Sequence, residues 1–212
     1  MRMGILGSGM VAQAISARLA ELGYEVMIGT RDAEKLKGWQ SSNQKVIIGS
    51  FAETAKHGEM IFNATNGAAS LEALKMAGAE NLSDKILVDV SNPLDFSNGF
   101  PPSLGVFGTD SLAEQIQRAF PLTKVVKTLN TVTARIMVYP LEVANGDHHV
   151  FISANDAEAK SQVTELLRSF GWIHIFDLGD LSTARGTEAY LLLWVRLYGA
   201  MNTGMINIKI MK

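Results

Sequence analysis

This chain of 212 residues contains no cysteine. That excludes disulfides, thiolate catalysis and thiolate metal centres, and it suits a reducing, cytoplasmic setting. Neither sign of charge dominates: 19 Lys and Arg stand against 21 Asp and Glu, a formal net charge of -2. Nucleic acid or an anionic membrane surface would select a basic patch, so neither partner is expected. Long apolar runs are also missing. The longest near the C-terminus, Ala189 to Val195, is stopped by Arg196, whereas a bilayer span needs about 20 residues. The apolar start of the chain is too short for a signal peptide and runs straight into a glycine motif. Histidine is sparse, at His57, His148, His149 and His174. The adjacent pair points to opposite faces of a strand and makes a poor chelate, so no metal is expected. No Ser-His-Asp arrangement can be assembled, and no catalytic acid or base is assigned.

What is present is alternation. Short apolar runs predict strands at Met3–Leu6, Tyr24–Gly29, Val46–Ile48, Met60–Asn63, Ile86–Val90, Val125–Leu129, Val150–Ser153 and Trp172–Phe176. Helix-period segments lie between them, among them Met10–Leu22 and Ala157–Phe170, the latter with apolar Val163, Leu166, Leu167 and Phe170. Several strands are continuously apolar, as in a parallel sheet covered on both faces. The expected class is α/β, a doubly wound, mostly parallel sheet of the Rossmann NAD(P)-binding type. The expected organisation is one domain over residues 1–212, with 181–212 a C-terminal helical extension packed on it. The stretch 91–105, which holds Pro93, Pro101 and Pro102, reads as a long loop after the fifth strand, where loops often carry function.

The sharpest motif is Gly7-Ser8-Gly9-Met10-Val11-Ala12, between the first strand and the first helix. Gly7 permits the tight turn, and Gly9 lets the backbone approach a pyrophosphate. Ala12 stands for the third glycine and keeps helix close to strand. The helix N-terminus offers free N–H groups and partial positive charge to phosphate. A second signal closes the second strand. An NAD site usually places a carboxylate there for the ribose 2′-hydroxyl, but the residues are Thr30, Arg31 and Asp32, with Lys35 one turn on. A hydroxyl and a guanidinium suit a 2′-phosphate, so NADP(H) is expected. Asp32 reads as an N-cap of the next helix.

Ligands in such sheets lie beyond the carboxyl ends of the strands. Those ends carry Asn63-Ala64-Thr65-Asn66, Ser91-Asn92-Pro93 and Asn130-Thr131, which are small amides and hydroxyls with almost no charge. Such groups suit a ribose and a carboxamide, and hydride transfer needs positioning before it needs an acid or a base. The expected cofactor-binding set is therefore Gly7, Ser8, Gly9, Met10, Val11, Thr30, Arg31, Lys35, Ala64, Thr65, Asn66, Ser91, Asn92, Pro93 and Asn130. Asp89 is read as orienting the loop that follows it. Tyr190, Leu191, Trp194 and Leu197 fit one helical face, read first as core and second as a dimer surface or a wall over the nicotinamide.

Taken together, these stretches resemble the F420-dependent NADP oxidoreductase family and the cytosolic reductase domain of the STEAP metalloreductases. The likeness is carried by Gly7–Ala12, Ile28–Asp32, Val88–Pro93, Val126–Thr131, Asp177–Asp180 with Ala184-Arg185, and Gly204–Ile210. The resemblance implies that Gly7–Val11 holds pyrophosphate and that Thr30, Arg31 and Lys35 hold the 2′-phosphate. It implies that the fourth and fifth strand tips border the nicotinamide. It also implies hydride transfer between NADPH and a second flat ring, F420 or a flavin, as the small-molecule redox substrate, in a homodimer or higher homo-oligomer. Two other readings stay open. A reductase of a small carbonyl or imine would need a proton donor, with Tyr139 and Tyr190 as the tests. A non-catalytic NADP(H)-binding sensor would bind without turnover.

Overall fold

The structure is a computed structural model and describes residues 1–211; the last residue of the expected extension, Lys212, lies outside the described residues. The chain opens with strand β1 (Arg2–Leu6), helix α1 (Met10–Glu21) and β2 (Glu25–Gly29). A 3-10 turn (Ala33–Leu36), α2 (Lys37–Gln40), β3 (Ile47–Gly49), α3 (Phe51–His57) and β4 (Met60–Asn63) follow. Next come α4 (Ser70–Ala77), α5 (Ala79–Leu82), β5 (Ile86–Asp89) and a small ribbon of β6 (Leu94–Asp95) and β7 (Ser103–Leu104). The C-terminal half adds α6 (Leu112–Ala119), β8 (Lys124–Thr128), α7 (Ala134–Val138), β9 (His149–Ala154), α8 (Ala157–Phe170) and β10 (His174–Gly179). It ends with α9 (Ala184–Ala189) and α10 (Leu191–Met201).

Eight strands form one sheet in the order β10-β9-β8-β5-β4-β1-β2-β3. Every neighbouring pair is parallel except β8 with β9. These eight are the eight strands expected from the apolar runs, and the fold is the doubly wound α/β class. The apolar runs are continuous because both faces are covered. Met3, Ile5, Met60, Phe62, Ile86, Val88 and Val126 point into a core shared with α1, α7 and α8. The intervening Leu6, Ile61, Leu87 and Val125 point into a second core under α3, α4 and α6. Alternate side chains thus leave each strand for opposite cores, the period-2 consequence of the pleat.

The helix at 157–170 stands as expected. Asp156 accepts from the Ala159 N–H at 2.8 Å at its start, and Gly171 closes it at φ 106°. Two expectations need correction. The stretch 91–105 is not a bare loop: Leu94 pairs with Leu104 and Asp95 with Ser103 as an antiparallel ribbon. The C-terminal stretch is not helical throughout. Helix α10 stops at Met201, with Asn202 in the left-handed region, and the chain then runs to the start of β9. There β8 pairs only with Ile152–Ala154 of β9, leaving the start of β9 open on that side. The tail takes the place: the His149 N–H donates to the Ile208 carbonyl at 3.0 Å, and the Asn207 amide donates to the His149 carbonyl at 2.8 Å. Those unpaired backbone groups outweigh any helical preference of the tail.

Candidate active site

Strand order reverses between β1 and β4, and the ends of these strands open a crevice at the carboxyl edge of the sheet. Gly7 leaves β1 with φ +125°, and its N–H donates to the Gly29 carbonyl at 2.9 Å, tying the turn to β2. A Cβ on Gly7 would stand 2.6 Å from the Ala64 carbonyl oxygen, so only glycine fits between the two strand ends. Gly9 is the N-cap of α1 and faces open space. The first turn of α1 carries no acidic residue and no side-chain cap, so its N–H groups remain available to an anion.

Beside this turn lies a cavity of about 310 Å³, bordered by Gly7, Ser8, Gly9, Thr30, Arg31, Lys35, Ala64, Thr65 and Asn66. Nine of the expected residues thus meet in one space. Asp32 does not compete for a ribose: its carboxylate accepts from the Glu34 N–H at 3.1 Å and caps the turn at Ala33–Leu36. The Thr30 hydroxyl donates to the Asp32 carbonyl, also at 3.1 Å. Arg31 and Lys35 are exposed and form no ion pair among the described residues. Two free cations beside the glycine turn fit a phosphorylated ribose, while Glu72, which also borders this cavity, is paired with Lys75 at 2.7 Å.

A second cavity, about 650 Å³, shares Ala64, Thr65 and Asn66 with the first and continues across the strand tips. Met10, Val11, Ser91, Asn92 and Asn130 border it, and Leu191 and Trp194 of α10 close one side. Pro93 faces a neighbouring hollow of about 460 Å³ together with Asn66 and Phe96. The helical face of Leu191 and Trp194 is thus both packing and cavity wall. Leu191 is buried while Trp194 is half-buried and stacks on Tyr198. Among the described residues bordering this cavity there is no His, Asp, Glu, Lys or Tyr; Arg135 is the one charged residue. Glu142 pairs with it, and its guanidinium lies 4.2 Å from the Tyr139 ring centre. The Tyr139 hydroxyl donates to the Glu21 carboxylate at 2.7 Å, away from the cavity. Burial pushes the Tyr190 hydroxyl above its ordinary pKa.

The tips themselves are held by a buried charge cluster. Asp89 accepts from the Ser91 N–H at 3.2 Å, the Ser91 hydroxyl at 2.6 Å and the Asn63 amide at 2.9 Å. Its other oxygen pairs with Lys127 Nζ at 2.8 Å, and Glu188 lies 2.9 Å from the same nitrogen. Burial alone would push the Lys127 ammonium down, but the Asp89 and Glu188 carboxylates outweigh it and hold its pKa above the ordinary value. The expected role of Asp89, orienting the loop after it, matches this geometry. Lys127 and Glu188 were not among the expected residues. A lysine inside the apolar run Val125–Thr128 was the available signal, because a charge in a two-sided strand needs a buried counter-charge. No group of three or more His, Asp or Glu is placed to hold a metal among the described residues. No helix among them is long and apolar enough to cross a membrane.

The switch-point crevice, the glycine turn and the paired cavities define a Rossmann-type dinucleotide-binding protein. More narrowly, the chain belongs to the family described as NADP oxidoreductase, coenzyme F420-dependent, whose model matches residues 2–93. A crystal structure from Arthrobacter sp. FB24, provisionally described as an F420-dependent NADP-reductase, is 51% identical. The two chains cover each other completely, with a TM-score of 0.97. The F420-dependent NADP reductase of Methanothermobacter marburgensis is 28% identical over 93% of this chain and 92% of that protein. Metalloreductase STEAP3 of Rattus norvegicus is 33% identical over 89% of this chain, but the match covers only 36% of that protein. The chain thus spans about a third of the length of the STEAP metalloreductases it matches.

Proposed function

We propose that this chain is a single NADP(H)-binding domain that transfers a hydride between NADPH and a flat conjugated acceptor, F420 or a flavin. The observation that carries the reading is the junction of the two cavities at Ala64, Thr65 and Asn66. The smaller cavity has the cations and open glycine turn that suit the adenosine 2′-phosphate and pyrophosphate. The larger one is walled mainly by apolar groups and suits a ring stacked on a nicotinamide.

When bound, NADPH supplies the hydride. Gly7–Val11 of the chain would orient the pyrophosphate, Arg31 and Lys35 would hold the 2′-phosphate, with Thr30 beside them, and Asn66, Asn92 and Asn130 would lie on the carboxamide and ribose side. Leu191, Trp194, Val11 and Met137 exclude water above the transfer path. Reduction of the acceptor ring would take that hydride, two electrons with one proton, and a second proton from solvent. A conjugated ring tolerates this, because it spreads the charge it gains. A simple carbonyl or imine would need a donor in the wall, and neither Tyr139 nor Tyr190 borders the cavity. Assembly as a homodimer or larger homo-oligomer is part of the reading, supported by the exposed apolar side chains Leu193, Tyr198, Met201 and Met205 on and after α10.

The test is NADPH oxidation by the purified protein, followed optically with F420, FMN, FAD or no acceptor. Oxidation with F420 alone assigns the deazaflavin, and oxidation with FMN or FAD assigns a flavin. Tight NADPH binding without oxidation by any of them would overturn the ring-acceptor reading and favour a sensor.

A further inference from the structure

A costly arrangement in this molecule is the buried group of three charges at Lys127. The side chains of Asp89, Lys127 and Glu188 are 0%, 1% and 2% exposed. Removing three charges from water is expensive, and apolar residues of similar volume often stabilise a core as well or better. Stability alone therefore gives little reason for the cluster. What it joins is more telling.

Three oxygens surround Lys127 Nζ: Asp89 Oδ2 at 2.8 Å, Glu188 Oε1 at 2.9 Å and the Ser91 carbonyl at 2.6 Å. They match the three N–H donors of an ammonium. Ser91 therefore has its N–H and hydroxyl held by Asp89 and its carbonyl held by Lys127. Every polar group of this tip residue is anchored by a charge. On the other side, Glu188 accepts from the N–H groups of Leu112 and Ala113 at the start of α6, at 2.8 and 3.2 Å. Glu188 belongs to α9, which runs through Tyr190 into α10, the helix that brings Leu191 and Trp194 to the larger cavity. The neighbouring Thr187 carbonyl accepts from the Asn130 amide at 3.1 Å. One ammonium thus ties the Ser91–Asn92 tip on one wall of the cavity to the segment that sets the Leu191–Trp194 wall.

We propose that Lys127, through Glu188, is a positioning residue that sets the nicotinamide end of the site by holding these two walls at a constant separation. This rests on the reading above, in which the Ser91–Asn92 tip borders the nicotinamide. The cluster touches neither the glycine turn nor Arg31, and it reaches the shared Thr65 through Asn63, so its main effect falls on the nicotinamide half of the cofactor. Hydride transfer is steeply sensitive to placement, since a displacement of about 1 Å can cost about a hundredfold in rate.

The test uses a variant that removes the charges but keeps the shapes, Asp89→Asn with Lys127→Met and Glu188→Gln. Its thermal unfolding is checked first. Dissociation constants are then measured calorimetrically for NADPH and for adenosine 2′,5′-bisphosphate, which probes the adenine half alone. The bisphosphate should bind within about twofold of the parent protein, while NADPH should bind about tenfold more weakly, roughly the worth of one hydrogen bond to a charged group. With whichever acceptor turns over, kcat should fall about a hundredfold with KM little changed. If the triple variant does not fold, Glu188→Gln alone is read in the same way, with a smaller loss of the same selectivity. Equal weakening of both ligands, or of neither, would overturn the inference while leaving the functional reading standing. If the parent protein binds the bisphosphate but gains nothing from the nicotinamide half, the reading of the tip falls and takes the inference with it.

Discussion

Asn92 and Asn130 grip one another across two strand tips. The Asn92 amide donates to the Asn130 backbone carbonyl at 2.8 Å, and the Asn130 amide donates to the Asn92 side-chain oxygen at 2.9 Å. The pair joins the loop after β5 to the loop after β8 at the rim of the larger cavity. A reciprocal contact of this kind predicts strong coupling. Asn92→Ala and Asn130→Ala should each lower stability by about 1–3 kcal/mol, because each leaves a buried or part-buried polar group of the other without a partner. The double variant should cost clearly less than the sum. Chemical denaturation of the four proteins measures this, and additivity would show that the contact is not formed in solution.

Arg31 is a free cation beside the smaller cavity. Arg31→Ala should weaken NADPH binding by about 1.5–3 kcal/mol, as expected for a hydrogen bond to a charged group. NADH should bind almost as before. Titrating both cofactors decides it, and equal losses would remove Arg31 from the 2′-phosphate site.

Gly67 opens the turn after β4, and a Cβ there would lie 2.0 Å from the Asn92 carbonyl oxygen. The tip after β4, which borders both cavities, and the tip after β5, which borders the larger one, therefore touch backbone to backbone. Gly67→Ala must push them apart, so NADPH affinity and melting temperature should fall together. The size of overpacking penalties suggests a loss of about 1–3 kcal/mol. An unchanged melting temperature would show that the tips separate freely.

Asp110 sits just before α6, where a hydrogen bond from Arg118 holds its carboxyl down at about 2 from an ordinary 3.8. A depressed native pKa means stability that is present above the unfolded value and lost as pH falls through the native one. The parent protein should therefore be more stable than Asp110→Asn near neutral pH. The gap should close as pH falls from 3.8 toward about 2. Thermal unfolding across that range checks the sign, and a gap that widens on acidification would refute it.

The sheet was legible because its strands are continuous apolar runs between helix-period segments, a pattern with few physical solutions. The glycine turn was legible for a similar reason: Gly7 and Gly9 sit where a backbone must bend and be approached. Lys127 and Glu188 lie 61 positions apart in the numbering and meet only because β8 and α9 pack on the same end of the sheet. Nothing local to either residue marks the other as its partner. The ribbon at β6 and β7 was hidden for a related reason, since its pairs are only two residues long and the intervening prolines and glycines read as loop.

By itself, the amino-acid sequence determined the class of fold, the glycine turn and the charge at the end of β2, because each depends on residues close together in the chain. The folded structure decided which strand tips meet, that the tail after Met201 fills the open side of β9, and that α10 walls the larger cavity. Those features depend on contacts between distant segments. Their energies come from burying charge and backbone polar groups against whatever the fold brings near, and no local pattern records that.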